Sequence, residues 1–61
     1  MTAKEWNEQY PLYQDIELTE DDGSITRTQT RSQAWNLGHG APVILVNGKA
    51  GGYDLGRIKA K

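Results

Sequence analysis

The sequence predicts a mainly β fold, a small barrel or meander of about five short strands entered through a short N-terminal helix or arm. Three observations predict it. Ile16-Glu17-Leu18 alternates apolar and polar residues with the period of a strand. Asp22-Gly23 and Asn47-Gly48 are dipeptides that favour tight hairpins, and each is flanked by strand-like residues. Val43-Ile44-Leu45-Val46 is a short apolar run bounded by proline on one side and Asn-Gly on the other.

Taken in order, Thr2-Ala3-Lys4-Glu5 fits a capping box, in which hydroxyl and carboxylate satisfy each other's backbone N–H groups. Trp6, Tyr10 and Tyr13 recur at i, i+4 and i+7, one face of a helix, and Pro11 limits its continuation. So short a helix is unstable alone and must dock or fray. The chain thus divides into a helical arm, residues 1–14, and a small β domain, residues 15–61. A strand begins at Asp15, and Asp21-Asp22-Gly23 turns it. Ser24 to Thr30 is threonine-rich with one aliphatic residue, Ile25, which suits an edge or solvent-facing strand with Arg27, Gln29 and Arg31 on one face.

Leu37 to Pro42 reads as a loop, with two glycines and a proline. Val43 to Val46 is a strand apolar on both faces, so something must cover each: the Trp6/Tyr10/Tyr13 face or a second copy of the chain. Lys49 to Leu55 returns as a strand, with Gly51-Gly52 marking a bulge or a close backbone approach. Leu55 to Ile58 reads as a 3₁₀ turn before a last short strand.

The charges are sorted by position. Residues 1–22 carry seven acids and one base, whereas residues 23–61 carry six bases and one acid, so a net charge of −1 hides a dipolar chain. Such asymmetry suggests a charged partner, or one half folding back onto the other. A chain of 61 residues has a marginal core and normally needs a staple. There is no cysteine and only one histidine, so neither disulfides nor a structural zinc site is expected, and no metal or other cofactor is implied. Dimerisation is the remaining staple, and a homodimer is expected. No apolar segment suits a signal peptide or a membrane span, which reads as a cytoplasmic protein. The sequence pI of about 5.6 argues against a dedicated non-specific nucleic-acid binder.

Five residues stand out as partner-binding candidates: Arg27, Arg31, Trp35, His39 and Arg57. Trp35 lies between a basic strand and a glycine loop, and is either an interface anchor or the largest core residue of a chain without phenylalanine. The arginines, with Lys59 and Lys61, are a basic face toward phosphates or an acidic protein, or an internal match for Glu17, Glu20, Asp21 and Asp22. His39, between two glycines, is a mobile acid/base or anion-binding group, or simply an exposed loop residue. Trp6, Tyr10 and Tyr13 are a docked helix face or a partner-contacting arm. Glu20-Asp21-Asp22 lacks the spacing of a calcium loop, and Gly48 to Gly52 lacks the Gly-Lys-Ser/Thr ending of a phosphate loop.

The closing stretch places Asn47-Gly48-Lys49, Gly52, Tyr53 and Ile58 in the order apolar strand, hairpin, glycine, aromatic, 3₁₀ turn, aliphatic. This resembles the closing half of an SH3-like barrel of the bacterial SH3 type. It departs at Asp54-Leu55-Gly56, where peptide-binding SH3 domains carry aromatics and a proline, so the resemblance does not imply a proline-rich ligand. The stretch Thr30 to Gly40 is similar to small phage and prophage proteins, implying an accessory protein that binds a host or phage component. These features lead to a non-enzymatic protein-interaction module, a phage-type modulator of a larger host protein. Two alternatives stand beside it: a nucleic-acid-binding barrel using the basic C-terminal segment, and a structural subunit of a larger assembly.

Overall fold

The computed structural model describes residues 1–61. Helix α1 (Ala3–Gln9) is followed by β1 (Asp15–Thr19), β2 (Ile25–Gln29), β3 (Trp35–Asn36), β4 (Pro42–Ile44) and β5 (Tyr53–Asp54). A 3₁₀ turn (Leu55–Arg57) leads into β6 (Ile58–Ala60). The strands form two antiparallel three-stranded sheets, ordered β2-β1-β6 and β3-β4-β5. There are six strands because the threonine-rich segment leaves one sheet and enters the other. Its ladder with β1 ends at Gln29, and Thr30 then bridges Val46. Around that bridge the Arg31 N–H donates to the Leu45 carbonyl (3.0 Å) and the Asn47 N–H to the Gln29 carbonyl (2.9 Å). β5 and β6 are not paired to each other, so the sheets do not close into a barrel.

The core lies between the sheets. Ile16 and Leu18 enter from β1, and Ile44 and Val46 from β4 and its extension; all four are fully buried. Ala3, Trp6, Ala34 and Leu55 complete it. Burying side chains of this size contributes about 1.5–3 kcal/mol each. The buried Thr30 is satisfied: its hydroxyl accepts from the Gln14 N–H, and its own N–H donates to the Gln14 carbonyl, each at 3.1 Å.

Helix α1 starts on the expected capping box. The Thr2 hydroxyl accepts from the Glu5 N–H (3.0 Å), and the Thr2 N–H donates to the Glu5 carboxylate (2.8 Å). That backbone bond, then the hydroxyl, holds the Glu5 carboxyl below its usual range. The helix docks by burying Ala3 and Trp6, and Tyr10 packs on Trp6 with ring centroids 4.4 Å apart. Tyr13 does not share that face, contrary to the i+7 spacing. The residue before a proline is pushed to extended backbone, and Tyr10 adopts φ −128°, ψ 138°, ending the helix at Gln9. Tyr13 then sits in a turn at φ 64° and is 67% exposed.

The two-faced apolar strand finds both covers within one chain. Ile44 and Val46 face the core that α1 completes. Val43 faces the other way and is only 5% exposed, because Trp35 stands directly opposite it on β3. The expected strand from Lys49 to Leu55 shrinks to Tyr53–Asp54, since Gly51 turns the chain at φ 75°. Gly52 is the close backbone approach: a Cβ there would lie 3.2 Å from the Val43 side chain and 3.3 Å from the Trp35 ring.

Candidate functional site: an exposed aromatic face

The outer face of the first sheet is charged. Register places Glu17 on β1 between Arg27 on β2 and Lys59 on β6. The Glu17 carboxylate pairs with Arg27 and with Lys61, each at 3.4 Å. Below it, Glu20 pairs with Lys49 of the β4–β5 connection at 2.9 Å and accepts from the Thr26 hydroxyl, while Asp21 pairs with Arg57. All four ion pairs thus join an acid of residues 1–22 to a base of residues 23–61. The segregated charge folds back on itself. These pairs hold Glu20 below the usual carboxylate range, chiefly through Lys49 and then Thr26, and Glu17 likewise through Lys61. Lys49 is raised by Glu20 in turn.

Of the predicted basic residues, Arg27, Lys59 and Lys61 share the outer face of the first sheet around Glu17, whereas Arg31 and Arg57 do not join them. β2 and β6 flank β1 rather than each other, with Glu17 between them. Arg31 turns toward the second sheet, where its guanidinium donates to the carbonyls of Val46 (3.1 Å) and Lys49 (3.2 Å) and ties down the hairpin. Arg27 and Arg57 are each committed to an acid of the same chain. His39 is exposed at the tip of a loop closed by the Leu37 N–H on the Ala41 carbonyl (2.9 Å). No acidic or histidine cluster with the makings of a metal site occurs in the chain.

The outer face of the second sheet differs. Trp35, 40% exposed, covers Val43, and strand alternation puts Leu37 and Leu45 on the same side. Beside Trp35, two hydrogen bonds fasten α1 to the strand: the Asn7 side-chain amide donates to the Ala34 carbonyl (2.9 Å), and its oxygen accepts from the Ala34 N–H (2.8 Å). This clamp opens a shallow pocket of about 120 Å³ lined by Trp6, Asn7, Tyr10, Pro11, Leu12, Ser32 and Gln33. None of the seven is charged, in a chain whose residues are 25% charged. Leu12, which lines it, is exposed, as are Tyr13 next in the chain and Trp35 and Leu37 on the second sheet.

Trp35 stands on the outer face of the second sheet, Trp6 is buried in the core with Tyr10 packed on it, and Arg27 and Arg57 are paired with acids elsewhere. Sequence reading missed Asn7, Leu12, Gln33 and Leu37. Only exposed leucines beside a proline and a glycine hinted at them; the Asn7–Ala34 clamp spans 27 residues and leaves no local signal. No family model, no characterised protein and no solved structure matches the chain. No helix is long and apolar enough to cross a membrane.

Proposed function

We propose that the protein is a non-enzymatic protein-interaction module that binds a larger protein through the exposed aromatic face around Trp35. The observation that carries this reading is the division of labour between the two sheets. Most charges on one are paired within the chain, whereas the other leaves Trp35 and Leu37 exposed, with the Asp54 carboxylate across Val43 bonded to the Gly56 N–H. Tryptophan is enriched among residues that dominate interface energy, above all where surrounding contacts exclude water. The pocket is also far smaller than the ~300–1,000 Å³ typical of small-molecule sites, which counts against a metabolite substrate.

The strand pairing supports an SH3-like small barrel, open between β5 and β6. The first sheet runs into the second through the Thr30–Val46 bridge, and the 3₁₀ turn falls between the last two strands. The nucleic-acid reading is weaker, because a basic groove needs clustered free cations and Arg27, Lys49, Arg57 and Lys61 are all paired, leaving Lys59 and the carbonyl-bound Arg31 apart from each other. The test is capture of a partner by tagged wild-type chain and by Trp35→Glu. Loss of capture by a variant with unchanged circular dichroism is expected; capture unaffected by Trp35→Glu would reject the reading.

A further inference from the structure

We infer that Asn47-Gly48 is a self-modification site: in the folded protein the Asn47 side chain cyclises onto the Gly48 nitrogen, loses ammonia and opens to isoaspartate and aspartate. This needs no partner and stands apart from the interaction reading. The reaction has three requirements: a side-chain amide free to swing, a following N–H not spent on a hydrogen bond, and no side chain shielding that nitrogen. Asn47-Gly48 meets all three. Both residues are exposed. Asn47 is held only through its backbone: its N–H donates to the Gln29 carbonyl (2.9 Å), and its carbonyl accepts from the Thr28 hydroxyl (3.0 Å). The Gly48 N–H has no partner, whereas the next one, that of Lys49, reaches the Val46 carbonyl at 3.4 Å. A Cβ at Gly48 would meet nothing within 4 Å, so the ring and an attacking water have room.

Hydrogen bonds close the competing positions. At Asp22-Gly23 the Gly23 N–H donates to the Glu20 carbonyl (3.0 Å), and the Asp22 carboxylate accepts from the Ser24 hydroxyl (2.7 Å) and N–H (2.9 Å). Those Ser24 bonds, the hydroxyl first, hold the Asp22 carboxyl below its usual range, and an ionised carboxylate has no leaving group. The Asn7 amide is clamped at both ends by Ala34. The N–H that follows Asn36, that of Leu37, donates to the Ala41 carbonyl (2.9 Å). At Asn47 the Gly48 nitrogen gives its proton to hydroxide and bonds to the side-chain carbonyl carbon. The bond from that carbon to Nδ2 breaks, Nδ2 leaves as ammonia after taking a proton from water, and a five-membered succinimide remains. Water then adds at either ring carbonyl and breaks its bond to the ring nitrogen, with no oxidation or reduction. Isoaspartate routes the main chain through Cβ, inside the hairpin that Arg31 grips by the Val46 and Lys49 carbonyls.

The test incubates the full-length chain at neutral pH and physiological temperature, native and in denaturant, and follows intact mass, peptide maps and enzymatic detection of isoaspartate. Native wild type should gain about one dalton, located in the peptide that holds Asn47, with isoaspartate among the products. Its rate should lie within about threefold of the denatured rate, because the reaction needs no opening of the fold. Raising the pH should speed it, since the attacking nitrogen must lose a proton. Gly48→Ala should slow it by about tenfold or more, by shielding that nitrogen. Gly48 stands at φ 83°, so alanine strains the turn; if that variant does not fold, the native-to-denatured ratio of wild type decides alone. A native rate about tenfold or more below the denatured one would overturn the inference by showing that the fold protects the site. So would a mass gain located at Asn7 or Asn36, or native isoaspartate at Asp22 as abundant as at Asn47.

Discussion

The two sheets have the same strand number and opposite outer faces. The β2-β1-β6 sheet presents Arg27, Glu17, Lys59 and Lys61, and Glu17 pairs with both Arg27 and Lys61. The β3-β4-β5 sheet presents Trp35 over Val43 and carries no ion pair on that side. The difference teaches that charge density and binding potential need not coincide. In the most charged part of the molecule, most charges already have a partner in their own chain. The part that sequence composition makes inconspicuous is the one left with unsatisfied apolar surface.

Substitutions can break this contrast, and the largest effect should come from Trp35. Trp35→Glu should weaken partner binding by about 2 kcal/mol or more, roughly 30-fold, in a titration by calorimetry. Its cost in stability should be smaller, because Trp35 lies outside the central core and is already partly wet. Gly52→Ala should come next. A new Cβ would press on Val43 and on the Trp35 ring, so overpacking of about 1–3 kcal/mol is expected in denaturant melts, with altered tryptophan fluorescence. On the charged sheet, Arg27→Ala should cost at most about 1 kcal/mol, less at high salt, and leave partner binding unchanged.

Acid should act on the charged sheet and on the helix cap at Glu5. Glu17 and Glu20 have folded-state pKa values below their unfolded ones, so the stability they contribute is present above the ordinary glutamate value of about 4.3. It is lost as pH falls through the depressed values. Lys49, raised by Glu20, behaves oppositely: its contribution holds below the ordinary lysine value and disappears as pH rises through the raised one. Thermal melts should therefore be flat across neutral pH and fall on the acid side, and Glu20→Gln should flatten that acid limb. An acid limb unchanged in Glu20→Gln would show that the clasp between Glu20 and Lys49 adds nothing.

Local signals carried most of the fold. The capping box at Thr2 and Glu5, the turns at Gly23 and Gly48, and the 3₁₀ turn before Ile58 each depend on a few adjacent residues and are found where the chain predicts them, although the tight hairpin expected at Gly48 opens into a loop from Leu45 to Gly52. The misplaced parts depend on distant ones. Tyr13 was put on the helix by spacing, whereas Pro11 had already dictated an extended Tyr10. The strand after Lys49 was too long because its length is set by where Gly52 meets Val43 and Trp35. In the candidate site, Trp35 was legible as a residue type. The neutralisation of the arginines was not, because the choice among Glu17, Glu20 and Asp21 as partners is made by sheet register. The pocket joins residues 6–12 to residues 32–33 and exists only after folding.

The most direct test is one pull-down run in parallel with wild type, Trp35→Glu and Arg27→Ala, each with nuclease and at low and moderate salt. If the exposed aromatic face is the binding surface, one stoichiometric protein survives nuclease and salt, is kept by Arg27→Ala, and disappears with Trp35→Glu. Recovery that collapses with nuclease or salt, or that follows Arg27 and ignores Trp35, would contradict it and return the charged sheet to first place.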